Sequence, residues 1–250
     1  MIHIFILCYN EENIIETTIK HYQRMFPSCT ITICDNESTD KSVEIAKKFK
    51  CKIHTYKTDG KVNDFVYNDI KENLWREAKT EWVLICDMDE FLCVNEDDLM
   101  AESLNGTTLI NTQGYSILGD SHDSELKDIS LENIHRGYKD DNYSKIICFK
   151  REEVERMNYN AGAHICSPHG RKIIFSSIKY SLYHFKYLGF PYLLKNFSIN
   201  YQRSHEMRNF GMALHYTDDE QKIRNIMTRA EGLSHEIKPL VEIYKEKSKV

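Results

Sequence analysis

The 250-residue chain has no Cys-x-x-Cys spacing, no apolar run long enough to span a bilayer, no broad basic field, and neither a Gly-x-Gly-x-x-Gly nor a Gly-x-x-x-x-Gly-Lys-[Ser/Thr] sequence. Each absence closes off a class of function. Without paired spacings or a leader-like start, the 8 cysteines read as reduced, buried small hydrophobes of a cytosolic protein, not as a secreted disulfide framework. Without a transmembrane segment the chain is expected to be soluble, at most peripheral to a membrane-bound acceptor. A net charge of -5 with both signs interspersed argues against a nucleic-acid partner. The missing glycine-rich loops remove the usual dinucleotide and P-loop fingerprints. One further absence bears on the chemistry: no Asp or Glu occurs between Met157 and His205.

What is present is a core-forming chain, 41% hydrophobic, whose first third alternates apolar runs with helical periodicity. Residues 2–8 read as a strand, a polar turn from Tyr9 to Asn13 follows, and Ile14, Ile15, Thr18, Ile19, Tyr22 and Met25 recur at helical spacing. Residues 30–34, 51–56 and 81–87 read as further strands, separated by helical patterns over 42–49 and 62–75. Strands joined by helices need crossover connections, so a mostly parallel α/β sheet is expected. Right-handed crossovers bring the turns after each strand to one edge.

The stretch from Trp82 to Leu92 organises the rest. A buried strand ends abruptly in Asp87-Met88-Asp89, delivering two carboxylates to the edge where open α/β sheets bind ligands. Two such carboxylates can hold a hard divalent cation. A nucleoside diphosphate is a good leaving group only when its developing charge is neutralised, which Mg²⁺ or Mn²⁺ does as a Lewis acid. After the third strand, Lys61 is a candidate for phosphate and Asp64 for base, ribose or donor sugar; each also reads as a solvated helix-start charge.

Three motifs on successive elements, Tyr9-Asn10-Glu11-Glu12, Asp35-Asn36-Glu37-Ser38-Thr39-Asp40 and Asp87-Met88-Asp89-Glu90-Phe91, resemble the nucleotide-sugar half of a GT-A glycosyltransferase of the family 2 type. Segments 160–170, 183–189 and 211–216 extend the likeness to its capsular-polysaccharide subgroup. The resemblance implies a glycosyltransferase domain over 1–217, with a nucleotide-sugar half over 1–92 and an acceptor half over 93–217. It implies that Tyr9, Asn10 and Glu12 line the base pocket, that Asp35 and Asn36 meet the nucleoside, and that Asp87 and Asp89 serve ribose and metal. It also implies a third metal ligand, His184, with Lys186 near the diphosphate, although Tyr183-His184-Phe185 equally reads as an aromatic core stripe. Mixed carboxylate and imidazole ligands suit Mn²⁺ better than Mg²⁺. The donor implied is a nucleotide sugar, UDP-linked, and the acceptor a glycan or glycolipid, with inversion at the anomeric carbon.

The catalytic base is not where the family places its acid, because the later half lacks one. Asp120 and Asp123 in the polar loop and His164 are the candidates. Residues 218–250 carry one or two amphipathic helices divided at Pro239, suited to pack on the domain or on a second copy of the chain. A nucleotidyltransferase, or a non-catalytic glycan- or nucleotide-binding module of the same fold, are the alternative functions.

Overall fold

The computed structural model describes residues 2–126 and 129–248, the side chain of Ala161 excepted. Strand β1 (Ile2–Cys8) is buried along its whole length, as a continuous apolar run in a doubly covered parallel sheet should be. It pairs in parallel with β2 (Thr30–Asp35) and β4 (Trp82–Asp87), and β3 (Lys52–Thr55) extends the sheet beyond β2. Helices α1 (Ile15–Met25), α2 (Ser42–Lys48) and α3 (Asp64–Asn73) make the connections. α1 buries Ile15, Thr18, Ile19, Tyr22 and Met25, the one face expected from their spacing. α3 starts where the Asn63 side chain accepts the Val66 N–H at 3.2 Å.

A second five-stranded sheet abuts the first. β5 (Glu90–Leu92) leaves β4 after two residues, α4 (Glu96–Leu104) follows, and β6 (Thr112–Leu118) and β7 (Arg136–Lys139) lead to β8 (Cys148–Lys150), the antiparallel edge of the first sheet. β9 (Val154–Arg156) and β10 (His169–Gly170) form a small ribbon. β11 (Tyr180–Tyr187) then lies between β6 and β5, which sets His184 opposite Glu90. Ahead of β6, Thr108 and Leu109 donate their N–H groups to the Ile174 carbonyl, and Leu109 makes isolated bridges to Phe149 and Phe175.

Two helices have no counterpart in the sequence reading, α5 (Phe190–Arg203) and α6 (His205–Asn209). α7 (Glu220–Leu233) and α8 (Leu240–Lys247) flank a two-residue strand, β12 (His235–Glu236), with the break at Pro239 where the sequence places it. The apolar stripes of α7 and α8 are buried on the domain itself. Ile223, Met227 and Ala230 pack with Leu193 and Phe197 of α5, while Leu240, Ile243 and Tyr244 join the main core beside α1. At that junction the buried His21 ring lies 2.9 Å from the Tyr244 hydroxyl and 3.0 Å from the Leu92 carbonyl. All 8 cysteines are free, and among the described residues no helix is long and apolar enough to cross a membrane.

Candidate active site

The turn from β4 to β5 is fixed from below. Thr18 of α1 donates its hydroxyl to the Met88 carbonyl at 2.8 Å, Tyr22 donates to the Glu90 carbonyl at 2.7 Å, and the Met88 side chain is buried. Asp87 and Asp89 are therefore held at the sheet edge on either side of a buried anchor.

The two aspartates meet different partners. Asp87 sits between two buried lysines, with Lys71 Nζ of α3 2.7 Å from Oδ1 and Lys145 Nζ 3.3 Å from Oδ2. Lys145 also lies 2.6 Å from Glu90, whose other carboxylate oxygen accepts the Asp87 N–H at 2.9 Å. Burial opposes ionisation of Asp87, but Lys71 and Lys145 outweigh it and hold the carboxyl well below the usual range. Asp64, at the start of α3, faces the same group: burial raises its carboxyl, and Lys71 and Asp87 act on it in opposite directions.

Asp89 pairs with the imidazole of His184, 3.0 Å from Oδ2 to Nε2. Burial again opposes ionisation, and His184 more than compensates. Among the described residues the other ring nitrogen of His184 is buried without a hydrogen-bond partner, and the Tyr143 ring lies tilted against the imidazole at 4.0 Å between centroids. Lys186, two residues along β11, donates to the Tyr143 hydroxyl at 2.8 Å and lies near the Tyr187 and Phe197 rings. Among the described residues no carboxylate ion-pairs with it, and burial pushes its ammonium down.

Tyr143 comes from the 3₁₀ turn Asp141–Tyr143, and Gly114 of β6 lets that turn approach. A Cβ on Gly114 would stand 2.6 Å from the Asp140 carbonyl. Gly114→Ala is expected to lower stability by about 1–3 kcal/mol through overpacking. Urea unfolding at two wavelengths, near-UV for the displaced tyrosine, checks it; an unchanged midpoint would mean the turn moves freely.

The first two turns are fastened to each other. Asn10, at φ 55°, accepts the Thr39 N–H at 2.7 Å, and Glu12 accepts the Lys41 N–H at 3.2 Å. Asp35 accepts the Ser38 N–H at 3.2 Å, and Asn36 donates to Thr58 at 2.8 Å. Tyr9 stacks under the Arg203 guanidinium, 3.4 Å from its ring centre. Asn10 and Glu12 thus spend polar atoms on fastening the first turn to the second. The acid that sequence reasoning missed is Glu11: burial, then Asp89, Asp40 and Asp87, raise its carboxyl well above the usual range. Its position in Tyr-Asn-Glu-Glu carries no sequence signal that it, not Glu12, faces the aspartates.

Three groups of candidate residues lie away from a common site. Lys61 is ion-paired with Glu206 of α6 at 2.6 Å and exposed, so its ammonium is already engaged. Asp120 and Asp123 are exposed on a loop drawn toward α5 and α7, where Phe190 donates to the His122 carbonyl at 2.7 Å and His122 pairs with Glu231 at 3.0 Å. The Asp87–Asp89–His184 triad is not assembled: among the described residues no three His, Cys, Asp or Glu side chains converge as a metal cluster. Asp87 is instead occupied by its lysines. Asp89 and His184 offer one carboxylate and one imidazole at hydrogen-bond separation, a mixed donor pair whose chemistry fits a divalent cation.

His164 closes the arrangement. It stands 5.2 Å from the Tyr143 ring, edge-on, with Nδ1 2.9 Å from the Asn142 carbonyl.

Residues 3–179 match the profile of "Glycosyl transferase family 2". Protein RfbJ of Shigella flexneri is 32% identical over 62 residues, which cover 25% of this chain and 48% of RfbJ, so the match spans about half of that relative. Among solved structures, S. aureus TarS 1-349 in complex with UDP is similar at 12% identity, with a TM-score of 0.45 over 92% of this chain and 70% of that one. Glucosyl-3-phosphoglycerate synthase from Mycobacterium tuberculosis, with Mn²⁺, UDP and glucosyl-3-phosphoglycerate, has 18% identity and a TM-score of 0.30 over 46% of this chain and 44% of that one. With the family profile spanning most of its length, and a parallel sheet that ends in the Asp87–Asp89 turn, the chain belongs to glycosyl transferase family 2.

Proposed function

We propose that the protein transfers a sugar from a UDP-linked donor to a hydroxyl of a glycan or glycolipid acceptor, with a divalent cation and with inversion at the anomeric carbon. The observation that carries this reading is Lys186, a half-buried ammonium without a carboxylate ion-pair partner among the described residues, beside the Asp89–His184 pair. A cation kept in a low-dielectric site needs an anion, and a diphosphate supplies one. Tyr9, Asp35 and Asn36 line the nucleoside side, and Asn10 and Glu12 hold its wall. Asp89 and His184 hold the cation, while Asp64 and Glu11 bound the donor side of the cleft. When bound, Mn²⁺ or Mg²⁺ supplies Lewis-acid stabilisation of the departing diphosphate. Lys186 then meets the charge that develops on the phosphate oxygens, and Asp87, already neutralised by Lys71 and Lys145, adds no repulsion to it.

Thermal unfolding with UDP, GDP and their sugar conjugates, with Mn²⁺ or chelator, tests this. At a hundredfold excess over Kd, binding adds about 2.7 kcal/mol of stability. UDP is expected to raise the midpoint in wild type and much less in Lys186→Met. Absence of a shift with every nucleoside diphosphate would remove the donor site.

A further inference from the structure

We propose that His164 is the general base of the transfer reaction, accepting the proton of the acceptor hydroxyl at Nε2. This rests on the transferase reading above and names the group that the sequence left open.

The tautomer is set by a backbone carbonyl. Nδ1 lies 2.9 Å from the Asn142 oxygen, which can only accept, so the proton resides on Nδ1 and the lone pair on Nε2. The ring is held by unusual backbone. Gly162 and Ala163 are both left-handed, at φ 74° and 53°, and a Cβ on Gly162 would stand 2.9 Å from His164 Cδ2. An alanine in that region is strained, a cost that persists only where surrounding structure enforces it. The placement follows from Tyr143, whose ring meets His164 at 5.2 Å and His184 at 4.0 Å. A single aromatic ring therefore separates the base from the pair that holds the cation end of the donor.

The charge environment keeps the imidazole neutral. Burial and then Lys145 push its pKa below the ordinary 6.5, with Glu90 and Asp87 opposing more weakly, and His215 is the nearby second imidazole. Tyr143, Lys186, Asp140 and Asp141 are further titratable groups around the Tyr143 turn. Among the described residues, Glu11 and Asp64 lie on the donor side of the cleft, and the other groups that could take the proton are engaged or placed elsewhere. Asp140 accepts from Ser116 at 2.9 Å and from the Asn142 N–H, Asp141 accepts from Gln113 at 2.9 Å, Asp120 and Asp123 belong to the loop beside α7, and His215 is exposed with its ring tilted against Tyr216 at 4.0 Å.

In the step itself, the acceptor oxygen forms its bond to the anomeric carbon as its proton passes to Nε2 of His164. The bond from that carbon to the diphosphate oxygen breaks, and its electron pair leaves with UDP. The imidazolium of half-buried His164 returns its proton to water.

The test uses the full chain with Mn²⁺ and UDP-glucose or UDP-N-acetylglucosamine, water serving as acceptor and UDP release as readout. His164→Gln is expected to lower release by about 10²–10⁴-fold, while the UDP-induced thermal shift is unchanged and free imidazole restores part of the rate in His164→Ala. The acid limb of the wild-type rate should fall below pH 6.5. A wild-type rate in His164→Gln, or the loss appearing in His215→Gln instead, overturns the assignment. Independently of turnover, nitrogen NMR of the wild-type ring should show the Nδ1–H tautomer at neutral pH, and an Nε2–H or doubly protonated ring overturns it. Failure of UDP to shift the wild-type midpoint strikes the donor reading instead.

Discussion

Replacing Lys145 by methionine is expected to destabilise the protein by about 3–5 kcal/mol, because it strands Glu90 and strips Asp87 of one of two partners. Glu90 is 1% exposed and Lys145 3%, so neither charge can recover its hydration by a rotamer change. The lost term is the penalty of an uncompensated buried carboxylate, and it exceeds the net worth of the pair. The double variant Lys145→Met/Glu90→Leu should therefore recover much of the loss, since an apolar pair of similar volume often replaces a buried ion pair at little cost. Urea midpoints of both variants check this. Equal destabilisation by single and double variants would show that packing, not charge, is at stake.

The same cluster sets the pH limits of stability. Asp87 has a depressed folded-state pKa, so its contribution is complete above the ordinary 3.8 and is lost as pH falls through the folded value. For Lys145, burial favours the neutral amine, but Glu90 and Asp87 prevail and raise its pKa; its contribution is complete below the ordinary 10.5 and is lost as pH rises through the folded value. Unfolding curves should steepen below pH 4 and above pH 10 in wild type, and the alkaline limb should flatten in Lys145→Met.

Asp89→Asn is the second large effect, and it falls on function with the fold intact. Asparagine keeps the shape but removes the one carboxylate at this turn that no lysine neutralises. Transfer from a UDP-sugar is expected to fall by about 10²–10³-fold, the scale seen when a group that stabilises transition-state charge is removed. The part of the UDP-induced stabilisation that depends on Mn²⁺ should vanish with it, while the part from Lys186 remains. Asp87→Asn should behave differently, since it leaves Lys71 and Lys145 short of negative charge and so lowers the urea midpoint. If both asparagine variants lose Mn²⁺ dependence equally without loss of stability, the division of labour between the aspartates is wrong.

The parallel half of the fold was legible because its signals are local. Ile2 to Cys8 and Trp82 to Asp87 are unbroken apolar runs, and the α1 face repeats at helical spacing, so strand, helix and edge follow from periodicity alone. The second sheet was not. β11 contains Tyr180 to Tyr187 with no clean alternation, since Leu182, Tyr183, His184 and Phe185 are all buried, and its place between β6 and β5 depends on partners distant in the chain. Gly189 caps α5 and Pro191 lies in its first turn, an ordinary start signal, but its apolar residues Phe190, Leu193 and Phe197 are mingled with other aromatics, which blurs the helical period. In the site, the carboxylate types were readable and their charge partners were not. Nothing about Lys71 or Lys145 in sequence distinguishes a buried ion-pair partner from the many surface lysines, and the face that Glu11 turns to the cleft is set by the loop around Asn10.

The hydrogen bond between His21 and Tyr244 joins residues 223 positions apart, and it carries a consequence for the order of folding. Closing so long a loop is entropically late, whereas β1, α1, β2, α2 and β3 are joined by short connections. During synthesis the donor-side strands can pair while the C-terminal residues are still unmade, leaving the flank of α1 that receives Tyr244 bare. α8 then arrives as a latch: Tyr244 packs against His21, whose ring meets Phe91 and the Leu92 carbonyl, so the strand behind Asp89 is closed off only once residues 240–247 have left the ribosome.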